Sequence, residues 1–396
     1  MAILKRYSYG VELSYVESST KKEINIQKET IEYIMVSYDY ENNIIPIIVT
    51  KIRLSTDIYN KMFKDQGKGK LSLYMYRNLE DATSTSNLAY IDELFDYYMS
   101  NNTDPSCVLN VVSETNNMSY ITCIIGLCKT ELINQNIKEF GGVYSNIDLP
   151  TLVHEAVSSI NIVMEPISNA SKIQQISIPK INTIYRYLEY VNSKYSLYNS
   201  QYMYFMDFKY TYMKSMSGKY LDAKDGQHSY VAIDIRDLSS HKSITNGIVI
   251  DDKQDAYIVY VNASVAIIHS DNISPQVSGS ITVVGTNGSN TVKIDTESIV
   301  NTVSNDSNVV VRSEDLSKAD MIKNTIENNT ISISFNKIEV DASIFTPNKE
   351  YLVSNYSGND KYTGRYRLSF KQELFQNTGI KFVCASNIGI TMVEHY

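Results

Sequence analysis

The chain has no tryptophan, only 7 prolines and 16 glycines in 396 residues, and 4 cysteines. So little proline and glycine excludes collagen-like and Pro/Gly-rich disordered compositions. The cysteines, Cys107, Cys123, Cys128 and Cys384, contain no C-x-x-C pair, which removes a zinc-ribbon or a disulfide lattice. Cys107, Cys123 and Cys384 lie in apolar runs and are expected to be buried free thiols. Histidine is scarce too, at 5 residues, and His154-Glu155 lacks the second His of a zinc-protease H-E-x-x-H. No metal and no cofactor is expected. No apolar run approaches the ~20 residues of a membrane helix, and MAILKRYSYG has no apolar core before a cleavage site, so neither a membrane segment nor a secretory signal is expected.

Positive charge is also in deficit. Lys and Arg total 36 against 44 Asp and Glu, a net charge of −8, which argues against broad affinity for a phosphate backbone. The one basic knot, Lys64, Lys68 and Lys70 around Gly67 and Gly69, lacks P-loop spacing and reads as a solvated turn. Asp251, Asp252 and Asp255 lack the EF-hand pattern; a solvated turn is the reading, with a calcium site as its alternative. No G-x-S-x-G, nucleotide loop or Cys/His nucleophile signature is present. The chain is therefore expected not to be an enzyme, with no catalytic residues to name.

What is abundant is tyrosine: 32 residues. They concentrate after a helical segment, where Tyr202, Tyr204, Met206, Phe208, Tyr210 and Tyr212 share one parity. Period two predicts a single strand with an aromatic face. Tyr202, Tyr204, Phe208, Tyr210 and Tyr212 are the candidate interface residues, packing between domains or subunits, because aromatic residues are enriched at such contacts; a carbohydrate- or base-stacking platform is the alternative. Asp207 is expected beside Lys209 on the polar side, or paired to Arg236.

The length predicts two to four domains. Alternating runs place strands at 30–39 and 44–54, joined as a hairpin through Asp39–Asn43, then at 70–77, 108–112 and 119–127. A helix is expected at 56–63, capped by Ser55, and a short helix or turn at 92–99. After Gly141-Gly142 the period becomes 3.6: Asp148-Leu149-Pro150 opens a helix whose stripe is Leu152, Val153, Ala156, Val157 and Ile160. A second stripe runs Ile181, Ile184, Tyr185, Leu188 and Val191. The Ser/Thr/Asn/Gly-rich stretch 246–329 reads as a small inserted β subdomain ending in a helix at 314–323. Strands resume at 331–339, 351–354, 365–374 and 380–393.

This order of a β-rich block, two helices and the strand YMYFMDFKYTYM resembles the baseplate hub family of contractile-tailed bacteriophages, whose module also begins the tail-associated proteins of some long-tailed phages. Tyr33–Tyr40 with Ile45–Ile48, and Gly141–Pro150, are similar to the corresponding parts of that family. The resemblance implies a mainly β (α+β) fold: two β-barrel tube-like domains joined by a helical segment, plus the inserted β subdomain. The first barrel would span 1–136, the helical connecting domain 137–200, the second barrel 201–245 and 330–396, and the insert 246–329. It further implies a homotrimer with pseudo-sixfold symmetry in the virion tail, assembled in the host cytoplasm. Its partners would be the tail tube protein, a central spike or tail lysin protein and other baseplate proteins, with DNA passing through the channel without specific binding. A tail-associated cell-wall-degrading enzyme and a receptor-binding tail protein are the alternatives.

Overall fold

The computed structural model describes residues 7–41, 45–79, 88–99, 108–112, 117–198, 202–216, 230–236, 248–252, 256–262, 266–270, 278–285, 288–295, 307–312, 331–338, 342–354, 358 and 360–396. It is mostly β. The first strands are β1 (Tyr7–Val16), β2 (Glu23–Ile26), β3 (Ile31–Asp39), β4 (Ile47–Ser55), β5 (Lys70–Leu79), β6 (Leu88–Met99), β7 (Val108–Val112) and β8 (Asn117–Cys128). They alternate as half-buried strands do: in β4, Ile48, Thr50, Ile52 and Leu54 are buried while Ile47 and Arg53 are exposed. β3 and β4 pair as the expected hairpin. Helix α1 (Thr56–Lys64) follows, its first turn capped by the Ser55 hydroxyl, which accepts from Ile58 N at 3.4 Å. The short helix or turn expected at 92–99 is instead the last eight residues of β6. Ile91, Phe95, Tyr97 and Met99 share one parity and are buried, and sheet pairing on both sides overrides the local helical spacing.

The middle is not simply helical. Helix α2 (Thr130–Gln135) leads into β9 (Ile137–Asp148), then α3 (Leu149–Val157), β10 (Ile162–Met164), β11 (Lys172–Thr183) and α4 (Ile184–Lys194). β9 and β11 form a long antiparallel ribbon, so the expected helical connecting domain is an α/β layer. Asp148 caps α3, its Oδ1 accepting from Thr151 N at 2.8 Å, and the whole predicted stripe is buried. Ile181 belongs to β11 rather than to α4, which starts where the Thr183 hydroxyl accepts from Arg186 N at 3.3 Å. Pro179 is tolerated within β11 because the ladder shifts register between Ile178 and Ile181.

The remaining strands are β12 (Tyr202–Met206), β13 (Thr211–Ser215), β14 (Tyr230–Arg236), β15 (Ile248–Asp252), β16 (Ala256–Asn262), β17 (Ala266–Ser270), β18 (Ser278–Gly285), β19 (Gly288–Asp295), β20 (Ser307–Arg312), β21 (Ile331–Ile338), β22 (Glu350–Ser354), β23 (Gly364–Asn377) and β24 (Phe382–His395). The expected insert divides: β15, β16 and β17 join the large sheet, and only β18, β19 and β20 form a sheet of their own. The helix expected at 314–323 lies outside the described residues.

The large sheet contains two groups of eight strands that share β23 and β24. In the first, pairing runs β23–β3–β4–β8–β6–β5–β1–β24 and returns through β24–β23, a closed circuit of antiparallel ladders. In the second, the order is β15–β16–β14–β22–β23–β24–β21–β17, with parallel pairing on both sides of β14. The boundary expected at Asn136 gave the last hairpin to the second unit alone. Its distal half instead pairs with β3 and β1, and its proximal half with β22 and β21.

Side chains follow the same division. Phe375, Phe382 and Cys384 enter the core of the first group; Tyr366, Leu368, Ile388 and Ile390 enter that of the second. Between them the ladder shifts register at Leu368/Phe370, where Ser369 O accepts from Tyr40 N at 2.9 Å. The Phe370 ring lies over Gly389, where a Cβ would stand 2.0 Å from it, so any larger residue would force that ring aside. A third core lies between the β9–β11 ribbon and helices α3 and α4.

Candidate functional interface

The aromatic run is a hairpin, not one strand. β12 and β13 pair antiparallel with Tyr204 opposite Met213 and Phe205 opposite Tyr212. Asp207 makes the turn: its Oδ1 accepts from Lys209 N and Tyr210 N, both at 2.6 Å, and its Oδ2 accepts from the Tyr212 hydroxyl at 2.7 Å. An Asp side chain that mimics a backbone turn in this way stops a strand without glycine or proline. Asp207 therefore neither faces a polar sheet surface nor pairs with Arg236, which pairs with Asp234.

The turn breaks the parity on which the aromatic face depended. Tyr204 and Met213 enter the third core, where Tyr204 donates to Asn136 and its ring lies 6.1 Å from Tyr185. Met203, Phe205 and Tyr212 enter the second core; Phe205 stacks on Tyr212 at 5.1 Å and meets Tyr40 edge-on at 5.0 Å. Phe208, at the tip, packs against the first core, 5.3 Å from Phe95 and 5.7 Å from Tyr38. Tyr202 is half-buried against the third core, and Tyr210 against the second. One fourteen-residue hairpin (202–215) thus joins three cores. Tyr204 and Tyr212 are buried inside the chain, so the contact they serve is between its parts.

Charge is buried around this junction. Lys214 of β13 donates to Pro347 O at 3.1 Å, and burial pushes its ammonium down to about 8 against the opposing pull of Glu165. Glu165 holds the same strand through Ser215 N, at 2.7 Å. On β23, Lys371 Nζ lies 3.4 Å from Glu373 and donates to Ala342 O, while the Tyr90 hydroxyl donates to Glu373. Burial, then the Asp207 charge, holds the Tyr212 phenol far above its ordinary value; burial, then Glu373, does the same to Tyr38 and Tyr90. Among the described residues no group of three His, Cys, Asp or Glu side chains is placed to hold a metal, and no helix is long and apolar enough to cross a membrane. Cys123 and Cys384 are buried thiols, Cys128 is half-buried, and Cys107 lies outside the described residues.

The fold is similar to that of several solved tail proteins. Similar solved structures include the tail protein from Neisseria meningitidis MC58 (TM-score 0.52, 8% identity, 96% of each chain covered). Another is the 43 kDa tail protein of prophage MuSo2 from Shewanella oneidensis (TM-score 0.51, 10% identity, 96% of this chain and 98% of that one). A lidless PdpA–VgrG complex matches with a TM-score of 0.50 and 10% identity over 99% of this chain and 66% of that one. At these identities the likeness is one of fold. The chain belongs to the family described as Bacteriophage PBS1 gene 109 protein, which matches residues 1–391. No curated protein matches it.

Proposed function

We propose that this chain is a structural hub of a phage tail baseplate, a homotrimer whose six sheet units form a pseudo-sixfold ring. The ring connects a hexameric tail tube to a trimeric central spike, and DNA passes through it. The observation that carries this reading is the pair of eight-strand groups sharing β23 and β24. Two eight-strand units per chain, taken three times, reconcile a threefold partner with a sixfold one. Membership of a phage family and the shared fold of tail proteins support it. The net charge of −8 suits a lumen that repels phosphate rather than holding it. A hub of this kind is a structural part without turnover, and incubation with purified peptidoglycan is expected to release no fragments above buffer. Sedimentation of the chain alone and with the tube and spike proteins of the same phage tests the assembly. A trimer is expected, and a monomer under both conditions would refute the reading.

A further inference from the structure

The outer face of β1, β5 and β6 carries an acidic and aromatic row. Register sets Glu12 of β1 opposite Tyr74 of β5, and Tyr74 opposite Asp92 of β6. Their neighbours Val11, Leu73 and Met75 point into the first core, while Glu12 and Asp92 are exposed and Tyr74 is half-buried. One step along, the Tyr76 ring covers Gly10, where a Cβ would stand 2.1 Å from it, and shields backbone that glycine leaves bare. The Tyr74 and Tyr76 rings lie 5.5 Å apart at a tilt of 36°. At the far end of the same face Lys70 pairs with Asp96, but Glu12 and Asp92 have no ion-pair partner among the described residues.

A tyrosine ring between two unmatched carboxylates suits one kind of group. The face of the ring attracts a cation within about 6 Å of its centroid. Strands lie about 4.8 Å apart, so carboxylates one strand to either side bracket whatever rests on the ring. A guanidinium is flat enough to stack there and has donors on both edges for the carboxylates, whereas an ammonium is a compact, strongly hydrated point charge. Leu94, 45% exposed in the next row, offers apolar surface to the stem of such a side chain. The chain has few guanidiniums of its own to offer. Arg53, Arg236, Arg365 and Arg367 pair with its carboxylates and Arg77 with the Ser343 hydroxyl, which leaves Arg186 among the arginines whose side chains are described.

We infer that the Glu12–Tyr74–Asp92 row binds an arginine side chain presented by a different protein of the tail. The inference rests on reading the chain as a tail part, and adds a docking surface and the chemistry of its occupant.

The test titrates each purified tail protein of the same phage against the wild-type chain and against Glu12→Gln, Asp92→Asn, Tyr74→Leu and Tyr74→Phe. All four alter exposed or half-buried side chains, and unchanged circular dichroism and melting verify their folds. One partner is expected to bind, more weakly as salt rises, and to lose at least about tenfold in affinity with each of the first three variants. Tyr74→Phe keeps the ring face and binds within about twofold of wild type. Glu189→Gln, at an exposed position of α4 in the middle layer, binds like the wild type. Changing the partner's exposed arginines to lysine one at a time is expected to find one whose loss matches that of Tyr74→Leu and adds nothing to it. Tail proteins that bind every variant equally overturn the inference, as does a partner that needs the row but keeps its affinity after losing every exposed arginine. Self-association weakened by both Glu12→Gln and Arg186→Gln, with other partners unaffected, overturns it in favour of a second copy. A chain that binds no tail protein defeats the tail reading itself.

Discussion

The two eight-strand groups bury the same hairpin but close differently. Pairing in the first is antiparallel throughout and returns on itself, and its core is filled by side chains such as Tyr15, Phe95 and Phe375. The second mixes parallel and antiparallel ladders, ends among the described residues at β15 and β17, and has Lys214, Lys349 and Arg367 buried beside its apolar core. A closed circuit removes its own strand edges, whereas an open one keeps backbone groups that a neighbour can use.

Breaking the shared element is the strongest test of that contrast. Phe375→Ala removes a fully buried ring from β23 and is expected to cost about 3–5 kcal/mol. Because β23 serves both groups, hydrogen exchange should speed up in β22 as well as in β3 and β5. Phe95→Ala, of similar cost, should leave β22 protected; equal loss everywhere would mean that the groups are one cooperative unit.

The hairpin that ties the cores is the next point of failure. Asp207→Ala deletes three hydrogen bonds and should cost about 3 kcal/mol in a denaturant titration, with Asp207→Asn milder because it keeps an acceptor. A cost near zero would show that the three cores hold together without the turn.

The third test uses Lys214 of β13, a cation buried beside the second core. The Lys214 ammonium titrates near 8 in the fold but near its ordinary 10.5 when unfolded. Between those values the unfolded chain binds the extra proton, so stability rises with pH, by on the order of 2 kcal/mol. Above pH ~10 the sign reverses, because the buried tyrosines resist the ionisation that the unfolded chain gains. Lys214→Met should flatten the rise and leave the alkaline fall. Smallest are the caps: Ser55→Ala in the first group and Thr183→Ala in the middle layer should each lower stability by about 1 kcal/mol.

Local chemistry was readable from the residues where it was self-contained. Ser55 and Asp148 announce helix starts, and the β3–β4 hairpin follows from two alternating runs around an Asn-rich turn. The turn at Asp207 carries a single signal, one Asp amid aromatics, and alternation in the flanking sequence hides it. The 92–99 segment satisfies both a helical and a strand period, and only pairing to β5 and β8 decides between them. Least visible was the sharing of β23 and β24, because their partners β3 and β1 lie at the other end of the chain.

That sharing sets an order on synthesis. The run β3–β4–β8–β6–β5–β1 can pair as its strands emerge, but the edge of β3 that β23 later covers keeps its amides and carbonyls unmatched until that strand arrives. A nascent chain of this design stays open to mispairing along that edge until β23 has been made, so holding chaperones would raise its yield.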